Sequence, residues 1–296
     1  MSTLKIHDIA VTDQNRAEYR ERGYWRTPKL LSDESIAFLR GEFDRIFRKE
    51  YDRDLYPFDR VYEYDLNSPE LRKVNNGWWL NDAIREVVTS PRLGRMIAGL
   101  TEQAGIRVWH DQVVVKPGVG PEGKNFRAAN IGWHQDYAHW QVASSQEMCT
   151  LWIALQDTDL TNGGMRTIVG SHRWGLSRDA ETFHEKDLDA LKDRFSAQGE
   201  WLDEPCVLKS GEASVHHCLT FHGSGPNLTH DPRLSLIIHY MPNGTFYLGR
   251  VDPYQKILPD RKGNRHANVP LLGPNAGPGT PFDGECFPQV WPALVK

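Results

Sequence analysis

The sequence has no long apolar run, no closely paired cysteines, no large excess of either charge, no internal repeat and no low-complexity block. Each absence removes a class of protein. The longest strongly apolar stretch, Leu234 to Met241, is interrupted by His239 and is far too short to cross a bilayer. Met1 to Asp8 holds no apolar core of a secretory signal. The four cysteines, Cys149, Cys206, Cys218 and Cys286, lie far apart without a CxxC pair, which fits reduced, mostly buried thiols rather than a disulfide frame or zinc knuckle. Lys+Arg 35 against Asp+Glu 39 gives a formal charge of -4, which argues against nucleic acid or an anionic membrane as the partner. What remains is a soluble, cytoplasmic globular protein. Its 296 residues, 39% hydrophobic and 25% charged, suffice for one substantial core, and we expect a single domain over 1–296.

Two residue types are abundant: 12 histidines and 10 tryptophans. The first favours a metal site, the second large apolar pockets. Along the chain, residues 1–105 read as mainly helical. Ser32 caps a helix with apolar positions Ile36, Leu39, Phe43, Ile46 and Phe47. Asn81 opens a second, carrying Ile84, Val87 and Val88, and Ser90-Pro91 starts a third, carrying Leu93, Met96, Ile97 and Leu100. From residue 106 the period shortens to two. Strands are expected around Ile106 to Val115, Met148 to Gln156, Ala213 to His222 and Arg233 to Met241, forming a β core over 106–250 with a charged, helix-leaning insertion at about 177–204. Strands without helices at βαβ spacing exclude a doubly wound sheet and leave a sandwich or barrel. The tail, 251–296, is rich in Pro, Gly and Asn, yet Tyr254, Phe282, Phe287 and Trp291 anchor it, so it wraps the domain.

The strongest chemical signal is His134-Gln135-Asp136. On a strand, residues two apart share a face, so an imidazole and a carboxylate point together. His222, in Leu219-Thr-Phe-His-Gly-Ser-Gly-Pro-Asn, is the best candidate for a third ligand. Two histidines and one carboxylate on one face of an octahedron leave three positions open, the pattern of mononuclear Fe(II) sites that activate oxygen. The dipeptide spacing alone equally fits a structural His–Asp bond. Eleven residues after His222 comes Arg233, with Ser235 two further on. Alternation sets Arg233, Ser235, Ile237 and His239 on one face, against Leu234, Leu236, Ile238 and Tyr240 on the core face. A guanidinium inside a barrel needs an anion, and the distal carboxylate of 2-oxoglutarate suits its planar fork; an edge-strand surface arginine is the competing reading. On the Met148–Gln156 strand, Thr150 and Trp152 share a mixed, pocket-lining face, while Cys149, Leu151, Ile153 and Leu155 form an aliphatic one; a plain solvent-facing alternation fits as well.

In these blocks the chain resembles the phytanoyl-CoA dioxygenase family of Fe(II)- and 2-oxoglutarate-dependent oxygenases. The matching segments are Tyr19 to Leu31, Trp109-His-Asp-Gln-Val-Val-Val-Lys-Pro, Trp133-His-Gln-Asp-Tyr, Leu151-Trp-Ile-Ala-Leu, Asn162-Gly-Gly-Met, Val169-Gly-Ser-His, Gly211-Glu, His217, and His222 to Asn227 before Arg233, all in order. The resemblance implies a double-stranded β-helix (jelly-roll) core with flanking helices, with Fe(II), 2-oxoglutarate and O2 as cofactor and cosubstrates. It implies His134, Asp136 and His222 as catalytic iron ligands and Arg233, helped by Ser235, as the carboxylate anchor. Gln135, Thr150 and Trp152 fall where family members line the cosubstrate pocket. Asp136 stands where the family's halogenases carry a small residue, which disfavours halogenation.

The expected activity is hydroxylation of an unactivated C–H of a small organic substrate, with 2-oxoglutarate going to succinate and CO2. Desaturation, epimerisation or ring rearrangement in natural-product biosynthesis is the alternative, and a non-catalytic cupin-like binding protein a further one. His139 and Trp140 are placed near the substrate, with Trp78, Trp79 and Trp174 as further candidate walls and Gly118 to Asn130 as a candidate lid. His172 is assigned to loop order and His217 to packing near the site. His216, His230 and His239 are assigned to structure or to the surface.

Overall fold

The computed structural model describes residues 4–53, 69–123, 126–249 and 267–293. In chain order its helices are α1 (Asp13–Arg22), α2 (Asp33–Phe47), α3 (Asp82–Val88), α4 (Pro91–Thr101) and α5 (Leu188–Phe195). Its strands are β1 (Tyr24–Arg26), β2 (Arg72–Asn75), β3 (Ile106–Lys116), β4 (Ile131–His134), β5 (Cys149–Ala154), β6 (Met165–Ile168), β7 (Asp203–Pro205), β8 (Ala213–His217), β9 (His222–Ser224), β10 (Arg233–Pro242) and β11 (Gln289–Trp291).

The helices begin where their capping chemistry directs. Ser32 and Asn81 each accept a hydrogen bond from the backbone N–H three residues on, and Thr12 and Asn15 cap α1 reciprocally. Pro91 occupies the first turn of α4, although Ser90 makes no side-chain cap. Ile36, Leu39, Phe43 and Ile46 of α2, with the apolar faces of α3 and α4, pack on one face of a large antiparallel sheet.

That sheet runs in the order β1-β8-β5-β10-β3-β11, with β2 also paired to β3. A smaller sheet runs β4-β9-β6-β7. Together they make the expected jelly-roll core. β10 lies between β3 and β5, pairing Ser235 with Val114 and Ala154, and His239 with His110 and Thr150. Its alternation is as anticipated: Leu234, Leu236, Ile238 and Tyr240 join the helix-packed core, alongside Cys149, Leu151, Ile153 and Leu155 of β5. The opposite face carries Arg233, Ser235 and His239 toward the smaller sheet. A register shift sets His110 opposite His239 but Val108 opposite Tyr240, leaving Trp109 as the extra residue. Trp109 then turns into a second cluster against Phe282 and Phe287 of the tail.

Two strands, β1 and β2, lie in the stretch expected to be mainly helical, and the tail contributes β11 to the edge of the large sheet. The region 177–204 does hold a short helix, α5, capped by Asp187. Tyr254, offered as a tail anchor, lies outside the described residues, as do 124 and 125 of the candidate lid. Trp78 and Trp79 belong to the helix-side core, and Trp174 packs with Trp201 and Phe221; their large apolar area finds a home there. All four cysteines are free. Among the described residues no helix is long and apolar enough to cross a membrane.

Leu236 is fully buried at the centre of β10. Leu236→Ala should cost about 2–5 kcal/mol of stability in denaturant unfolding; a loss well under 1 kcal/mol would contradict this packing.

Candidate metal centre

β4 and β9 are antiparallel neighbours that set His134 directly opposite His222. Each ring is fixed by the same local device: Nδ1 lies against the carbonyl of the residue two before it, Gly132 O at 2.8 Å and Thr220 O at 3.0 Å. Donation from Nδ1 leaves each Nε2 with a bare lone pair. The chain then turns, and Asp136 brings Oδ1 to 3.7 Å from His134 Nε2 and 3.8 Å from His222 Nε2. One ligand atom from each of the three residues lies within 4.8 Å of the others, and all three residues are buried.

The electrostatics suit a cation. Burial, then His222, drives His134 well below the ordinary histidine range, and burial with His216 beside it pushes His222 down to about 4. Both imidazoles are therefore neutral ligands at neutral pH. Burial works against the Asp136 carboxylate, but His222, His216 and His239 around it outweigh this and hold it well below the carboxylate range. Asp136 Oδ2 accepts a 2.6 Å hydrogen bond from Thr150 Oγ1 and faces His216 Nε2 at 3.4 Å. Two neutral nitrogens and one carboxylate oxygen, each oriented by a further hydrogen bond, form a donor set for a divalent metal of the iron type.

The insertion forms a wall of the site. Thr182 Oγ1 donates to Trp133 O, and a Cβ at position 132 would stand 2.0 Å from Thr182 O, so only glycine lets the segment lie this close to β4. Phe183 is thereby set edge-on to His134 at 5.2 Å, with Lys73 Nζ 4.2 Å from its ring. His139 and Trp140 sit nearby, His139 Nδ1 at 3.5 Å from Glu181 and the Trp140 ring at 4.8 Å from His239.

Arg233 and Ser235 lie at one end of the inner face. Arg233 packs on the Trp152 ring, 4.9 Å from its centroid. Its Nε and Nη1 atoms, together with the hydroxyls of Ser235 and Ser214, are buried with no hydrogen-bond partner among the described residues. Burial lowers the guanidinium to about 10, which still leaves it charged. Directly across the β3–β10 pairing stands Lys116, fully buried, donating to Ser224 Oγ and Gly225 O at 2.6 Å each.

Two sequence expectations need correction. The Gln135 amide donates to Gly175 O at 2.9 Å and Leu219 O at 2.7 Å and accepts from Ser177 N at 2.8 Å. As the residue between His134 and Asp136 it ties loops together, with no donor left for an anionic cosubstrate. Thr150 spends its hydroxyl on Asp136 and His239 rather than on lining an anion pocket. His216 and His239, assigned to structure or surface, are buried beside Asp136. Strand alternation already placed His239 with Arg233; Lys73, Lys116 and His216 needed the strand pairings. His230 is exposed, and His217 accepts from Leu219 N at 3.1 Å within its own turn.

A jelly roll with a two-histidine, one-carboxylate centre and a buried arginine defines the class of mononuclear metal oxygenases. The chain belongs to the phytanoyl-CoA dioxygenase (PhyH) family, whose profile matches residues 19–235. It is thereby an oxidoreductase of the Fe(II)- and 2-oxoglutarate-dependent dioxygenase class. A probable alpha-ketoglutarate-dependent hypophosphite dioxygenase of Stutzerimonas stutzeri is 26% identical over 279 residues, covering 88% of this chain and 91% of the relative. An ectoine dioxygenase of Streptomyces avermitilis is 25% identical over 247 residues, covering 77% and 78%. Among solved structures, the alpha-ketoglutarate-dependent carbocyclase SnoK from nogalamycin biosynthesis shares the fold, with TM-score 0.68, 22% identity and coverage of 94% and 96%.

Gln135→Ala should leave 2-oxoglutarate affinity within about twofold while lowering stability by about 1–3 kcal/mol, because it strands buried backbone groups. Titration of the cosubstrate and denaturant unfolding check the two halves; a large affinity loss at unchanged stability would restore Gln135 to the pocket.

Proposed function

We propose that this protein hydroxylates an unactivated C–H of a small organic substrate, with His134, Asp136 and His222 holding Fe(II) and Arg233 anchoring 2-oxoglutarate. The carrying observation is the buried Arg233 guanidinium with two unpartnered nitrogens, on the sheet face that also supplies the residues around Asp136. A buried cation without an anion is strongly unfavourable, and a carboxylate arriving at its fork offsets that cost. Ser235 supplies a hydroxyl to the same anion, and Trp152 closes one side with its ring.

Iron of this class, when bound with 2-oxoglutarate, supplies oxygen activation coupled to decarboxylation of the keto acid. The chain's own residues orient and exclude. The two neutral imidazoles and one carboxylate oxygen would hold the metal through three protein ligands and leave room for the cosubstrates. Phe183 covers His134 and keeps bulk water from that side. His139, with Glu181 beside it, and Phe183, with Lys73 over its ring, flank His134, a surround that suits a compact molecule with both polar and apolar parts. Relatives named for hypophosphite and ectoine are consistent with a small substrate. No basic run suited to the phosphates of an acyl-CoA is present in the sequence.

The test is anaerobic addition of Fe(II) and then 2-oxoglutarate, following the visible charge-transfer band. His134→Ala should abolish it, and Arg233→Ala should require on the order of 30-fold more 2-oxoglutarate, the equivalent of about 2 kcal/mol for one lost charge-assisted pair. No band in folded, iron-treated protein would sink the proposal. With a substrate found through stimulated succinate release, product mass separates the endings: a gain of one oxygen for hydroxylation, a loss of two hydrogens for desaturation, no change for epimerisation. The fold neighbours include an epimerase, SnoN, as well as the carbocyclase.

A further inference from the structure

Four strands of the large sheet bring a row of side chains into register beneath the metal centre. His110 pairs with His239, His239 with Thr150, and Thr150 with His216. These residues are buried, and alternation turns them to the same face. Within the row, Thr150 Oγ1 lies 2.6 Å from Asp136 Oδ2 and 2.8 Å from His239 Nδ1. A hydroxyl has one hydrogen. The ionised carboxylate can only accept, so that hydrogen goes to Asp136, and the lone pair of Oγ1 must accept from His239. His239 therefore carries its proton on Nδ1.

We infer that His239 is a positioning residue which, acting through the Thr150 hydroxyl, fixes Asp136 as a one-oxygen ligand. The inference rests on the reading that His134, Asp136 and His222 hold the metal. Oδ1 faces the two ligand imidazoles at 3.7 and 3.8 Å, while Oδ2 is turned away and engaged. A two-oxygen grip would have to turn Oδ2 back toward the metal against the hold of the 2.6 Å bond. It would also leave two open positions on an octahedral metal, where a chelating keto acid and O2 together need three. Donation into the threonine oxygen polarises its O–H toward the carboxylate, in a buried setting where such chains strengthen one another. The imidazole is held for this task by Trp140 at 4.8 Å and His110 at 4.3 Å between ring centroids. Its Nε2 is buried with no hydrogen-bond partner among the described residues, so nothing there favours the other tautomer.

The test uses the full chain, metal-free and then with Fe(II) under anaerobic conditions. Long-range proton–nitrogen NMR of the metal-free protein should show His239 protonated on Nδ1, and Thr150→Val, which removes little but the hydroxyl, should abolish that preference. Fe(II) affinity should fall about tenfold or more in both Thr150→Val and His239→Leu, the range for groups that orient metal ligands. His239→Asn should recover most of it, because its amide nitrogen can stand near the lost Nδ1 and donate to the same oxygen. A wild-type His239 protonated on Nε2, or folded Thr150→Val and His239→Leu proteins that bind Fe(II) within twofold of wild type, would overturn the inference. His134→Ala separates the levels: iron retained there overturns the ligand assignment and this inference with it. Iron lost there but held unchanged by Thr150→Val overturns only the role of His239.

Discussion

The register of β10 between β3 and β5 is the constraint on which the rest of the molecule depends. Side chains alternate with a period of two, so a slip by one residue would turn Arg233, Ser235 and His239 into the helix-side core and Leu234, Leu236 and Ile238 into the site. The penalty for that exchange falls on both faces at once. Leu236 and Ile238 are fully buried against the helices, and the guanidinium would be stranded among them. Apolar packing on one face thus sets the geometry of the polar face, and His134 and His222 are held by sheet pairing while Asp136 comes from the turn after β4.

The bulge at Trp109 shows how the same sheet serves two cores. Without the extra residue, Val108 and His110 would share a face. With it, Val108 packs among the helices while His110 reaches the row beside His239. The displaced Trp109 is covered edge-on by Phe282 at 4.7 Å and stacked by Phe287 at 5.9 Å. This explains physically why a Pro- and Gly-rich tail is kept folded against the domain: it closes the apolar surface that the bulge creates.

Much of this was legible before any coordinates. Alternation in Arg233–Met241 separated the anchor face from the core face, and the caps at Ser32 and Asn81 marked the helices, because each rests on interactions within a few residues. What was not legible depends on partners far along the chain. β1 and β2, three and four residues long, are too short to show a period and are strands only because β8 and β3 pair with them. His216 carries no local mark of function; its place beside Asp136 follows from pairing opposite Thr150. Gln135 misled for the converse reason. The family resemblance implies a place in the cosubstrate pocket, yet its amide is engaged by Gly175, Ser177 and Leu219.

Two sets of buried polar atoms near the site differ in how they are satisfied. Asp111, Asn227 and Gln135 satisfy backbone groups of loops and turns, as stable cores require. The nitrogens of Arg233 and the hydroxyls of Ser214 and Ser235 do not, and they gather at one end of the inner face beside Lys116. Leaving each unpaired costs about 1–3 kcal/mol, more for a charged group. Unpartnered buried polar atoms occur elsewhere among the described residues too, but only here do two guanidinium nitrogens meet two buried hydroxyls on one inner face, a set that a ligand arriving with its own oxygens would satisfy. On the proposed reading, a dicarboxylate would meet that demand at the arginine end and leave its other end for the metal. Thr150 donates to Asp136 and Arg233 packs on Trp152, so the Asp136 carboxylate and the guanidinium are held by separate side chains, and an anion reaching Arg233 would not compete for the Thr150 hydroxyl.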